Sequence, residues 1–315
     1  MKYVSKLDLD SPKLNLNLLR VRRYDERTTI MMKNIELYTS SSDKIKTDDL
    51  SWDLAAKHGL TEEEVFALTY FADIESQTIR YLRMLLGMKI AFREDVAAFL
   101  SIWNYEEFYH GHYLGKLMRV CGHATDTNRV AEVQSHAKFN EILESILTPL
   151  FSKIFYRDFP AVYLSFGAIQ EMTTLLGYES MGKKTTNPVL KVLCERIAKQ
   201  ERRHFAWYFN HAKSELSDRR FAQQLTYALM KFNWVPVGAG VKPTEDVVRL
   251  FNFLFPGDDA AEVADKIDEK MGTLPGLHGI ELMRPYVNKH LTATLTDQVP
   301  VNAGIYRQKR VLNLK

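Results

Sequence analysis

The sequence predicts an all-α protein whose working part is a helical bundle, and three observations predict it. No segment sustains the apolar/polar alternation of a strand, whereas helical periodicity runs from residue 61 onward between Gly and Pro breaks. A four-residue pattern occurs twice, as Glu107-Phe-Tyr-His110 and Glu201-Arg-Arg-His204. Each copy sets a carboxylate and an imidazole one turn apart on one helix face. Each also follows a single glutamate, Glu75 or Glu171, by 32 or 30 positions.

One Glu-x-x-His match would mean little, because 21 Glu and 9 His in 315 residues give roughly 0.6 matches by chance. The repeat is the stronger signal. Glu75, Glu107 and His110 recur as Glu171, Glu201 and His204 at offsets of 96, 94 and 94.

Residues 1–60 read as an irregular N-terminal segment, with a polar stretch at Ser40-Ser41-Ser42-Asp43 and a short helix around 52–56. Thr61-Glu62-Glu63-Glu64 has the form of a capping box and opens a helix to about Gly87. The next helix starts at the acidic turn Arg93-Glu94-Asp95 and runs to about Cys121, where Gly122 ends it. The point halfway between Glu75 and Glu107 is Ala91, so a hairpin there brings both glutamates to one level. A third amphipathic helix is expected over 128–154, and Arg157-Asp158-Phe159-Pro160 begins a fourth that carries Glu171 to about Gly182. Thr185-Thr186-Asn187-Pro188 stops that helix and starts the fifth, with Asn as N-cap and Pro at the first helical position. This second hairpin again has equal arms, and its helix reaches about Leu216. Shorter helices are expected near 218–231, 243–255, 258–271 and 279–292. The organisation is therefore an N-terminal segment (1–60), a metal-holding bundle (61–216) and accessory helices (217–315) packed on the same domain.

A hydrophobic content of 46% suffices for a large core, and a net charge of +3 with dispersed Lys and Arg argues against a nucleic-acid partner. The N-terminus lacks the continuous apolar stretch of a signal peptide, and no run reaches the length needed to span a bilayer. Cys121 and Cys194 have neither metal-binding nor disulfide spacing, which fits a reducing, cytoplasmic setting.

Glu75 and Glu171 sit among apolar and aromatic residues, Thr69-Tyr-Phe-Ala-Asp-Ile-Glu75 and Tyr163-Leu-Ser-Phe-Gly-Ala-Ile-Gln-Glu171. Bare carboxylates in such a core are costly, and four are worse. Two divalent ions would neutralise the four charges. The expected arrangement has Glu107 and Glu201 bridging, Glu75 and His110 completing one ion and Glu171 and His204 the other. A carboxylate-rich set with one imidazole per ion suits iron or manganese over zinc, and iron best, because carboxylates stabilise its oxidised state and leave positions open for O2.

At these residues the chain resembles the soluble acyl-acyl carrier protein desaturases of the ferritin-like di-iron group. Trp103-x-x-Glu106-Glu107-x-x-His110-Gly111 is similar to that family's Trp-x-x-Glu-Glu-x-x-His-Gly segment, and Phe166-x-x-x-Gln170-Glu171-x-x-Thr174 to its Phe-Gln-Glu-x-x-Thr helix. The resemblance covers roughly residues 60–216. It implies a ferritin-like four-helix bundle with additional helices, two iron ions, and O2-dependent oxidation of an acyl chain held as a thioester on acyl carrier protein; a manganese/iron pair is instead what a likeness to ribonucleotide reductase small subunits would imply. It also implies a ferredoxin-type two-electron donor, a homodimer, and a role for Thr174 in handling oxygen and protons. Lys183, Lys184 and the tail Arg307-Gln-Lys-Arg310 are candidate docking bases for an acidic carrier, and Met84, Met88, Phe108, Leu114 and Leu175 candidate walls of an acyl channel.

The chain departs from that pattern at Gln200, where the family has an Asp before its last ligand glutamate that helps orient a ligand histidine, and in the 64-position interval from Glu107 to Glu171. Residues 217–315 match no motif. Two other classes share the six ligands: a ribonucleotide reductase small-subunit-like oxidase, for which Tyr109 or Tyr163 would be the nearby tyrosine, and an oxygenase acting on an amine or a small carrier-bound substrate. Iron storage or peroxide defence would call for a smaller chain and a cage.

Overall fold

In the computed structural model of the chain, residues 35–36, 38–125 and 154–290 are described below. Among them the secondary structure is helical throughout, in the order α1 (Trp52–His58), α2 (Glu62–Glu75), α3 (Thr78–Leu86), a 3-10 turn (Lys89–Phe92), α4 (Glu94–Val120), α5 (Phe159–Lys184), α6 (Pro188–Leu216), α7 (Arg220–Asn233), α8 (Thr244–Leu254), α9 (Asp259–Gly272) and α10 (Met283–His290). The all-α expectation holds. The helix expected over 128–154 and the basic tail at 307–310 lie outside the described residues.

Helix starts follow their capping chemistry. Thr61 Oγ1 accepts from the Glu64 amide at 3.2 Å while Glu64 Oε2 accepts from the Thr61 amide at 2.8 Å, closing the capping box at α2. Asn187 Oδ1 accepts from the Val189 and Leu190 amides, and its Nδ2 donates to the carbonyls of Ala55 and Gly59, so the α6 cap also fastens α1 to the bundle.

One helix expected over 61–87 is two. Ser76 Oγ donates to the Ala72 carbonyl at 2.7 Å, Thr78 Oγ1 to the Glu75 carbonyl at 2.7 Å, and the Gln77 amide to Ile74 at 2.8 Å. These hydroxyls compete with the helical ladder for the same carbonyls, and the helix ends at Glu75.

The bundle consists of α2, α4, α5 and α6. α5 and α6 form a hairpin across the three residues 185–187, α2 packs on α4, and contact between α4 and α6 joins the two pairs. Phe99, Leu114, Ile169, Tyr178, Leu190 and Ile197 are fully or almost fully buried between them. α7 packs on α5 and α6, α8 on α2 and α5, and α9 on α5 and α10. Buried Asp268 of α9 accepts from the amides of Leu282, Met283 and Arg284, which holds the N-terminus of α10 against α9.

Candidate metal centre

The four bundle helices bring the six predicted ligands to one place. Glu75 is the last residue of α2, Glu107 and His110 lie midway along α4, Glu171 on α5, and Glu201 and His204 on α6. None is more than 7% exposed. Gly111 makes the approach of α4 to α2 possible: a Cβ there would stand 3.2 Å from the Glu75 Cβ and 3.6 Å from the Ala72 carbonyl oxygen.

Two overlapping groups result, Glu75, Glu107, His110 and Glu201 in one and Glu107, Glu171, Glu201 and His204 in the other. Within each, one ligand atom per residue lies within 4.8 Å of the rest, and each group could hold a metal ion. Glu107 and Glu201 are common to both.

The chemistry of the donors fits ions at this place. Buried Glu107 Oε1, both Glu201 oxygens, His110 Nδ1 and His204 Nδ1 have no hydrogen-bond partner. His110 Nδ1 lies 3.2 Å from Glu107 and 3.1 Å from Glu201, close but not aligned as hydrogen bonds. A buried polar atom left unmatched costs about 1–3 kcal/mol, more if charged. Cations satisfy this set together.

Protonation tells the same story. Burial pushes the Glu75 carboxyl well above its ordinary range, with Glu107 adding to it, and burial likewise raises Glu171. Burial opposes the charged imidazoles, yet the carboxylates around them hold His110 and His204 well above the ordinary histidine range. Glu107 and Glu201 are lowered: burial works against their charge, but a hydrogen bond with Glu75 at Glu107, and His110 and His204 at both, outweigh it. Without ions the raised groups therefore keep protons that ligation must expel. Loading with Co2+ or Fe2+ near neutral pH is expected to release up to four protons per chain, from Glu75, Glu171, His110 and His204, and to tighten as pH rises. Calorimetry in buffers of different ionisation heat measures this directly; uptake without net proton release would contradict it.

Around the six lies a ring of partners, of which the resemblance pointed to Gln200 alone. His204 Nε2 stands 2.7 Å from Glu106 Oε2, and His110 Nε2 stands 2.8 Å from Gln200 Oε1. Trp103 Nε1 donates to Glu171 Oε1 at 3.0 Å, and the fully buried Tyr178 hydroxyl donates to Glu75 Oε1 at 2.5 Å. The N-terminal segment takes part as well. Tyr38 donates to Glu106 Oε2 at 3.0 Å, the Ser41 carbonyl accepts from Arg203, and the Asp43 carbonyl accepts from Gln200. Glu106 and Trp103 had a visible signal, their place in the motif at one and four positions before Glu107. Tyr38 and Tyr178 had none.

Several expectations are corrected. Phe108 is 61% exposed, on the outer face of α4 beside Tyr109 and His112, and is no channel wall, because it follows Glu107 by one residue and so points away from the bundle axis. Leu114, Leu175 and Met88 are buried, and Met84 is half-buried. Tyr109 meets Tyr105 and Phe108 edge-on and stacks on Tyr113, and Tyr163 donates to the Tyr81 carbonyl. Tyr178 is the tyrosine that hydrogen-bonds a candidate ligand among the described residues. Thr174 lies one turn beyond Glu171, with its hydroxyl donating to the Gln170 carbonyl at 3.0 Å.

Residues 77–230 match the model of a family described as fatty acid desaturase. The resemblance is to a ferritin-like family. The matched span holds five of the six candidate ligands and begins two residues after Glu75. No curated protein matches the chain. Together, the desaturase match and the possible metal site support a desaturase-like oxidoreductase. Among the described residues no helix is long and apolar enough to cross a membrane.

Proposed function

We propose that the protein is an O2-dependent di-iron oxidoreductase that desaturates an acyl chain carried as a thioester on an acidic acyl carrier protein. The observation that carries this reading is the pair of overlapping ligand groups sharing Glu107 and Glu201, set inside a span that matches fatty acid desaturases. Glu75 and His110 would hold one ion and Glu171 and His204 the other. Bound iron would supply the redox chemistry by which O2, two external electrons and two protons take two hydrogens from an unactivated methylene pair and leave as water.

The protein's own groups prepare the place. Trp103 and Tyr178 each donate to one oxygen of a terminal carboxylate, leaving Glu171 and Glu75 a single preferred orientation. Gln200 and Glu106 set the outer nitrogens of the two imidazoles, so that Nδ1 of each faces the centre. Leu114, Leu175 and Met88 are buried and would help keep water from the centre. Thr174, whose hydroxyl already serves Gln170, would pass a proton only by leaving that carbonyl. Exposed Lys183 and Lys184, at the α5–α6 turn, would meet an acidic carrier, with a ferredoxin-type protein as electron donor and a homodimer as the working state. The free thiols Cys121 and Cys194 suit a cytoplasmic setting.

A second reading, an oxidase that keeps the oxidising equivalent on its own chain, draws support from Tyr178 at Glu75. One experiment separates the two. The protein is loaded anaerobically with Fe2+, reduced and exposed to O2, with and without an acyl-carrier thioester, and the products are weighed by mass spectrometry. Loss of two hydrogens from the acyl chain is expected. A gained oxygen atom would indicate an oxygenase, and oxidation of the protein without substrate would favour the second reading. Thr174→Val should keep both ions while raising the share of electrons lost as peroxide; unchanged coupling would leave Thr174 as an ordinary helix position.

A further inference from the structure

The two halves of the centre repeat each other in their ligands but not in what stands behind them. In each half the residue just before the shared glutamate crosses to the histidine of the other half. Glu106, before Glu107, holds His204 Nε2 at 2.7 Å, and Gln200, before Glu201, holds His110 Nε2 at 2.8 Å. One imidazole leans on a carboxylate and the other on a neutral amide.

Both partners are fixed in these roles by their neighbours. Glu106 is fully buried; Arg203 ties its Oε1 at 2.6 Å, leaving Oε2 to His204 and to the Tyr38 hydroxyl. Gln200 cannot turn its amide round, because its Nε2 donates to the Asp43 carbonyl at 2.6 Å and to Glu106 Oε1 at 3.2 Å, so its oxygen faces His110. Each terminal carboxylate receives one neutral donor, Trp103 on Glu171 at 3.0 Å and Tyr178 on Glu75 at 2.5 Å. The outer partners of the two histidines, by contrast, differ in charge.

We propose that Glu106 and Gln200 are positioning residues that make the two ion positions unequal, the one closed by Glu171 and His204 binding first and more tightly than the one closed by Glu75 and His110. The physical reason is donor strength. A carboxylate behind an imidazole N–H pushes electron density toward the opposite nitrogen, which then gives more to a cation; a neutral amide does this less. Outer partners of this kind change metal affinity by about 10–100-fold, and the Arg203 guanidinium on Glu106 brings the expected gap toward the lower end. When two kinds of ion compete, the one that gains more from a strong donor takes the His204 position. This inference rests on the metal reading above.

Co2+ titration tests it without turnover. Metal-free full-length protein is titrated anaerobically, followed by visible absorption and calorimetry. Wild type should show two steps separated by roughly 10–100-fold. Glu106→Gln keeps the shape and an acceptor for His204, and should weaken the first step so that the two merge; Gln200→Leu should weaken the second much more than the first and widen the gap. Should Glu106→Gln leave Arg203 uncompensated and unfold, the double variant Glu106→Gln/Arg203→Met removes the buried cation and must give the same merging. A single affinity class in wild type, or equal weakening of both steps by the Glu106 variants, overturns the proposal. Absence of any Co2+ binding would instead overturn the metal reading itself, and this inference with it.

Discussion

Glu107→Ala and Glu201→Ala are each expected to lose both ions, not one. Both carboxylates belong to both ligand groups, and Glu107 lies 2.9 Å from His204 Nδ1 as well as 3.2 Å from His110 Nδ1. Removing a shared anion takes a ligand from each position and leaves the ions' mutual repulsion less screened. Metal analysis after dialysis should fall from two ions per chain to a residual level, and turnover with it. The heat stability gained from ions should vanish too, about 4.1 kcal/mol when free metal is a thousandfold above its dissociation constant. Glu75→Ala should be milder, since Glu75 belongs to one group only. Two firmly held ions in both the Glu107 and Glu201 variants would sink the ligand assignment.

Phe99→Ala is expected to cause the largest loss of stability in the metal-free protein, about 3–5 kcal/mol. Phe99 is fully buried, stacks on Trp207 at 3.6 Å between ring centroids, meets Tyr208 edge-on at 5.1 Å and Tyr38 at 5.2 Å, and turns an edge toward His204 at 6.4 Å. Its removal opens a cavity that rigid aromatic neighbours cannot fill by collapse. Denaturant unfolding of the metal-free protein measures the loss. A decrease under about 1 kcal/mol would mean that the aromatic cluster relaxes freely, contrary to the close packing of such cores. Because the cavity lies beside His204, the Co2+ spectrum should change as well, although no ligand has been replaced.

Much of the bundle was legible because helix ends are local chemistry. The Asn187-Pro188 start, the Thr61 capping box, the Gly122 stop and the acidic turn at Glu94 fall where the structure has them, and α6 runs over the expected residues Pro188–Leu216. The break after Glu75 was missed because it turns on whether Ser76 and Thr78 spend their hydroxyls on nearby carbonyls, a choice that apolar periodicity does not record. Phe108 was misplaced for a related reason. Its neighbour Glu107 faces the axis, so a residue one step on must face away, and that follows only once the inward face of α4 is known.

By itself the sequence determined the all-α class, the two hairpins and the six residues that the bundle gathers. Each depends on spacing along one helix or on symmetry about one turn, and both are written in residue order. The resemblance pointed to Gln200 behind a histidine; which histidine it serves, and who else stands behind the ligands, only the tertiary structure decided. Glu106 reaches His204 across 98 positions, Gln200 reaches His110 across 90, Tyr178 reaches Glu75 across 103 and Tyr38 reaches Glu106 across 68. Such partners come from elements brought together by packing, where a hydrogen bond depends on a few tenths of an ångström between helices and not on any interval in the chain.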